Sequence, residues 1–94
     1  MSISSIKQLV IPIFQKYGVN RASLFGSVAR GEEKNTSDVD FLVEMPQNHS
    51  LMDRAKVKVA LEDTLKIKCD VLNFNGIKKH ARASILSSQV VILP

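Results

Sequence analysis

Ninety-four residues, with 13 Lys and Arg set against 9 Asp and Glu, leave room for one modest hydrophobic core and no second one, so a single domain spanning 1–94 is expected. The lone Cys69 excludes an internal disulfide, and the lack of a cleavable leader or a bilayer-length apolar run points to a soluble cytoplasmic protein with no membrane role. A net charge of +4 suits nucleic acid, a nucleotide or an acidic protein; Lys56, Lys58, Lys66, Lys68, Lys78, Lys79 and Arg82 are scattered without interleaved aromatic rings, so a solvated face explains most of them and nucleic acid is the least expected of the three.

In chain order, Ile3, Ile6, Leu9, Val10, Ile13, Phe14 and Tyr17 recur at helical spacing, with Ser5 and Gln8 able to form a capping box. Pro12 removes a backbone donor and predicts a kink or a restarted helix before Gly18 ends it. Ala22-Ser23-Leu24-Phe25 reads as a brief strand that stops at Gly26, and Ser27 to Arg30 has the composition of a short helix. Glu32 to Thr36 is a polar connection. From Asp38 to Val43 a period of two predicts a second strand. After a loop from Met45 to His49, Ser50 and Asp53 bracket the start of a helix running to Leu65. Lys68 to Phe74 reads as a third strand. Asn75 is expected to cap a last helix in which Ile77, Ala81 and Ile85 share a face, and Val90 to Leu93 closes as a short strand or an apolar tail.

Strand alternation puts Asp38 and Asp40 on one face, where two like charges repel unless a cation lies between them. Hard carboxylate oxygens suit Mg²⁺, which usually takes one or two protein carboxylates and fills its other positions with water and phosphate oxygens. An isolated Asp-x-Asp equally describes a solvated strand face, and its context is what gives it meaning. That context is the Gly26-Ser27 turn, whose helix-start N–H groups, with the Ser27 hydroxyl, can face a phosphate. Arg30, one turn on, offers a guanidinium suited to a polyphosphate, although a solvent-facing arginine would read the same. Asp70 lies in an apolar stretch where a lone charge would be costly. If its strand lies beside that of Asp38, the three carboxylates complete a site for two metal ions. His49 and His80 have no second ligand at metal-site spacing and read as surface residues.

Gly26-Ser27-Val28-Ala29-Arg30-Gly31, then Ser37-Asp38-Val39-Asp40, then Asp70 resembles the pattern of the minimal nucleotidyltransferases of the DNA polymerase β superfamily. The likeness runs along nearly the whole chain, from Lys16-Tyr17-Gly18-Val19 to Val90-Val91-Ile92-Leu93. The resemblance implies an α+β nucleotidyltransferase fold, a small mixed β-sheet packed on one face by helices. It also implies that Gly26 and Ser27 contact the nucleotide phosphates and that Asp38, Asp40 and Asp70 bind Mg²⁺, two ions in all, with ATP as substrate. Many members resemble antitoxins paired with a small HEPN-type toxin, and some silence that toxin by transferring AMP to it.

Two functions therefore stand side by side: Mg²⁺-dependent transfer of AMP to a hydroxyl of a HEPN-type toxin, or neutralisation of that toxin by binding alone. Transfer to an aminoglycoside-like small molecule or to RNA asks for a self-contained pocket that so short a chain hardly supplies. Part of the substrate site is expected to come from a partner or a second copy of the chain. Leu42 shares its side with Asp38 and Asp40, and Leu72 and Phe74 share theirs with Asp70, so this face is expected to be apolar beyond the acids. Either a partner surface or the chain's own C-terminal helix would cover it.

Overall fold

The computed structural model describes residues 2–31 and 38–94, with the backbone alone at Ser27. The polar connection read over Glu32 to Thr36, and Ser37 of the motif, lie outside the described residues. Helix α1 (Ile3–Lys16) leads to strand β1 (Arg21–Phe25), the four-residue helix α2 (Gly26–Ala29) and strand β2 (Val39–Glu44). Helix α3 (Leu51–Leu65), strand β3 (Cys69–Asn73), a 3-10 turn (Phe74–Gly76), helix α4 (Lys79–Ser88) and strand β4 (Val90–Leu93) complete the order.

Local chemistry accounts for most of these bounds. Ser50 accepts from the Asp53 N–H at 3.1 Å and Asp53 accepts from the Ser50 N–H at 2.9 Å, a reciprocal capping box at the start of α3. The end of α1 is a Schellman turn: Gly18 has φ +71°, its N–H donates to Gln15, and the Val19 N–H donates to Phe14 C=O at 2.9 Å. The other end differs from expectation. Ser2 is the N-cap, accepting from the Ser5 N–H at 3.1 Å, so the helix begins one turn before a Ser5–Gln8 box would allow. Nor does the helix restart at Pro12. Gln8, whose carbonyl would have received the missing N–H, is exposed on the same side as Pro12, where water can satisfy it.

The sheet order is β3-β2-β1-β4, with β2 and β3 parallel and β1 antiparallel to both β2 and β4. The parallel pair is joined through α3, as a crossover connection requires. One face of the sheet presents Ala22, Leu24, Val39, Phe41, Val43, Cys69 and Ile92 to Ile6, Val10 and Phe14 of α1 and to Val57, Leu61 and Leu65 of α3. Phe14 and Phe41 meet edge to face with centroids 5.6 Å apart, a contact that contributes about 0.5–1.5 kcal/mol beyond its area.

The last helix begins later than its sequence suggests. Asn73, not Asn75, supplies the capping oxygen, accepting from the Asn75 N–H at 3.1 Å to close the 3-10 turn. Ile77 is then buried in extended backbone ahead of α4, whose N-cap is Lys78. The 3-10 turn lies against β2, and α4 lies against α2 and β1.

Candidate active site

The site is built on the sheet face turned away from α1 and α3. Asp40 on β2 sits between Phe25 of β1 and Asp70 of β3 in the strand register. The sheet therefore brings the second aspartate of the Asp-x-Asp pair directly beside the aspartate thirty positions on. Asp38 precedes β2 and is exposed. Asp70 is also exposed, rather than enclosed by the apolar stretch around it, because strand alternation turns Cys69 and Val71 inward and Asp70 out.

Asp40 is half-buried, and its carboxyl is pushed up from 3.8 to about 6. Burial is the largest cause, followed by the charge of Asp70, a side-chain hydrogen bond to Asp70 and the charge of Asp38, while Arg30 acts in the opposite sense. Two of these causes are anions and one is the hydrogen bond that a shared proton allows, so the pair is short of positive charge. A divalent cation would supply it. Among the described residues no three His, Cys, Asp or Glu side chains already surround one ion position. Asp40 and Asp70 alone meet the one or two carboxylates that Mg²⁺ usually takes from protein, so the donor set fits that ion.

Gly26 is fixed by the same carboxylate. It has φ +76°, a conformation disfavoured for any residue with a Cβ, and a Cβ placed there would lie 3.3 Å from Asp40 Cγ and collide with Oδ2. The chain thus turns from β1 into α2 with its backbone against the acid. First-turn N–H groups of a helix lack intrahelical acceptors, which gives this bend donors for an anion next to Asp40. Arg30 forms the C-cap of α2, its N–H donating to Gly26 C=O at 3.2 Å, and its side chain is exposed within electrostatic reach of Asp40.

The cover of this face is divided. Leu42 is fully buried outside the main core, and Phe74 is half-buried with the Arg21 guanidinium 4.3 Å from its ring centroid. The 3-10 turn and α4 shelter the β1 side, whereas Leu72 on β3 remains 44 % exposed. Arg21 also reaches Glu44 at 3.6 Å and joins Phe74, Arg82, Leu86 and Gln89 around a cleft of about 230 Å³. Sequence reading did not gather these residues. The signal was present as parity, since Arg21 shares a side with Ser23 and Phe25, and Glu44 shares one with Asp40. His49 is held locally by its Nδ1 at 3.1 Å from Pro46 C=O, and His80 is exposed on α4. No helix among the described residues is long and apolar enough to cross a membrane.

Comparison with known proteins identifies the family. The polymerase beta nucleotidyltransferase family model matches residues 8–94. A Methanocaldococcus jannaschii protein named as a candidate protein adenylyltransferase is 46% identical over 93 residues, covering 99% of this chain and all of its own. A solved candidate minimal nucleotidyltransferase superposes with a TM-score of 0.83 at 31% identity, over 96% of this chain and 95% of that one. A chain from the complex of a tri-AMPylated Shewanella oneidensis HEPN toxin with its MNT antitoxin superposes with a TM-score of 0.72 at 13% identity, over 95% and 70%, a likeness of fold. On the family model and the 46%-identical relative, the chain belongs to the polymerase beta nucleotidyltransferase family.

Proposed function

We propose that this chain is a Mg²⁺-dependent protein adenylyltransferase that moves AMP from ATP onto a hydroxyl of a HEPN-type toxin and so acts as its antitoxin. The observation that carries the reading is the Asp40–Asp70 pair, short of positive charge and set against the Gly26 bend. Support comes from the protein adenylyltransferase names of relatives at 46% and 31% identity, the second from Thermococcus cleftensis. The AMPylated toxin complex that shares the fold suggests the acceptor class. Both ATP and Mg²⁺ are supplied in the cytoplasm, where we place the reaction.

In this reading Asp38, Asp40 and Asp70 hold the metal, two ions in full, and Gly26, Ser27 and Arg30 hold the triphosphate. Bound Mg²⁺ would neutralise phosphate charge and acidify the acceptor hydroxyl. The chain's own part is positioning. The bend presents N–H donors to the departing phosphates, Arg30 adds a permanent positive charge near them, and Asp70 stands exposed where it can receive the acceptor proton.

The test is incubation with a HEPN-type toxin and α-labelled ATP. Wild type transfers label in Mg²⁺, and Asp38→Asn does not while retaining its fold by circular dichroism. Undiminished labelling by Asp38→Asn would remove the metal assignment. Toxin neutralisation by unlabelled complexes of Asp38→Asn and Asp40→Asn, as strong as that of wild type, would instead favour occlusion by binding.

A further inference from the structure

The open edge of the sheet lies beside Asp70. Among the described residues β3 is the last strand on that side, and none of them forms a strand along half of its backbone groups. The Val39 N–H donates to Lys68 C=O at 3.0 Å, and parallel alternation then directs the Asp70 and Leu72 groups toward β2 and those of Cys69, Val71 and Asn73 outward. The chain blocks the start of this edge itself: Glu62 Oε2 accepts from the Cys69 N–H at 3.0 Å. Farther along, Val71 borders a cleft of about 200 Å³ whose other wall is Leu51, Arg54, Ala55 and Lys58 of α3. Leu51 is 78 % exposed, and Leu72, on the Asp70 side of β3, is also uncovered. An open edge flanked by uncovered apolar side chains is what strand addition uses.

The chemistry supplies a direction of approach. Displacement at a phosphorus places the attacking and leaving oxygens roughly in line. If pyrophosphate departs at the Gly26 bend beside β1, the attacking hydroxyl enters across Asp40, over Asp70 on β3. We propose that the β3 edge is the acceptor-docking element: an extended segment of the acceptor protein pairs with Val71 and Asn73, its hydroxyl-bearing side chain beside Asp70 and its acidic flanking residues against Arg54 and Lys58. This rests on the nucleotidyl-transfer reading. In the transfer the hydroxyl oxygen bonds to the α-phosphorus as the bond from that phosphorus to the bridging oxygen breaks. Pyrophosphate leaves with that electron pair, and the hydroxyl proton passes to the Asp70 carboxylate and then to water.

The probes are the random copolymers poly(Glu,Tyr) and poly(Lys,Tyr), given to the full chain with α-labelled ATP and Mg²⁺, together with amide hydrogen exchange on β3. Wild type is expected to label the acidic copolymer with about tenfold higher kcat/KM than the basic one, and Arg54→Glu/Lys58→Glu to invert that preference through KM while ATP binding is unchanged. Exchange at Val71 and Asn73 is expected to slow when poly(Glu,Tyr) is added, in wild type and equally in transfer-dead Asp38→Asn. Label without slowed exchange, or a charge reversal without effect, would overturn the docking edge and leave transfer standing. Slowed exchange without any label would support the edge and overturn the transfer reading. Protection of the same amides that rises with the chain's own concentration, with no copolymer present, would seat a second copy there and overturn the proposal.

Discussion

Strand β2 carries two different kinds of residue one position apart. Val39, Phe41 and Val43 point into the helices and are essentially inaccessible, while Asp40 and Glu44 point to the other side, where charges meet. Side chains on the first side fill volume, while the second carries Asp40 and Glu44 on either side of the buried Leu42. The strand backbone lets both sets be satisfied because successive Cβ atoms face opposite ways. The acid thus gains a rigid mount on a strand whose other side is packed.

The comparison breaks most visibly on the inward side. Phe41→Ala empties a fully buried ring site against Phe14 and is expected to cost about 3–5 kcal/mol, measured by urea unfolding, against a total of about 5–15 kcal/mol for such domains. One position back, Asp40→Asn should leave the fold intact and lower transfer at least about 100-fold in a labelling assay. The same variant should be more stable than wild type at neutral pH. Because the folded carboxyl holds its proton up to about 6 rather than 3.8, folding of wild type is favoured at low pH and weakens as pH rises through that interval. Unscreened, the shift corresponds to about 3 kcal/mol, which solvent at this half-exposed group reduces to about 1 kcal/mol. Urea midpoints of wild type and Asp40→Asn across pH 4 to 7 should therefore diverge.

Gly26→Ala tests the contact between bend and acid. It is expected to cost about 1–3 kcal/mol, and in an Asp40→Ala background the collision disappears and about 1 kcal/mol of backbone cost remains. The smallest effect is on the sheltered end of the outward face. Arg21→Ala loses a partly exposed ion pair and a ring contact, and thermal unfolding should report about 0.5–1 kcal/mol.

Much of this was legible before any coordinates. The α3 start was written in Ser50 and Asp53, because a capping box is a contact between residues three apart. The common face of alternating β2 residues was written in its period of two. What local pattern could not supply was adjacency. Nothing between Asp40 and Asp70 states that their strands are neighbours, and the family likeness, not periodicity, carried that expectation. The exposure of Asp70 and the division of cover between α4 and open solvent depend on strand order in the same way. The late start of α4 was missed because its N-cap, Lys78, makes no side-chain capping bond, while Asn75 looks like a cap but lies in the 3-10 turn.

The contact between Gly26 and Asp40 predicts that the two positions vary together among related chains. While the carboxylate stays, position 26 has no room for a side chain, so the two residues should be inherited together. A descendant that loses the acid regains that space, and a small residue tolerant of left-handed backbone, such as asparagine, could then settle at the bend. Such a paired replacement in a related chain would mark a copy retired from chemistry.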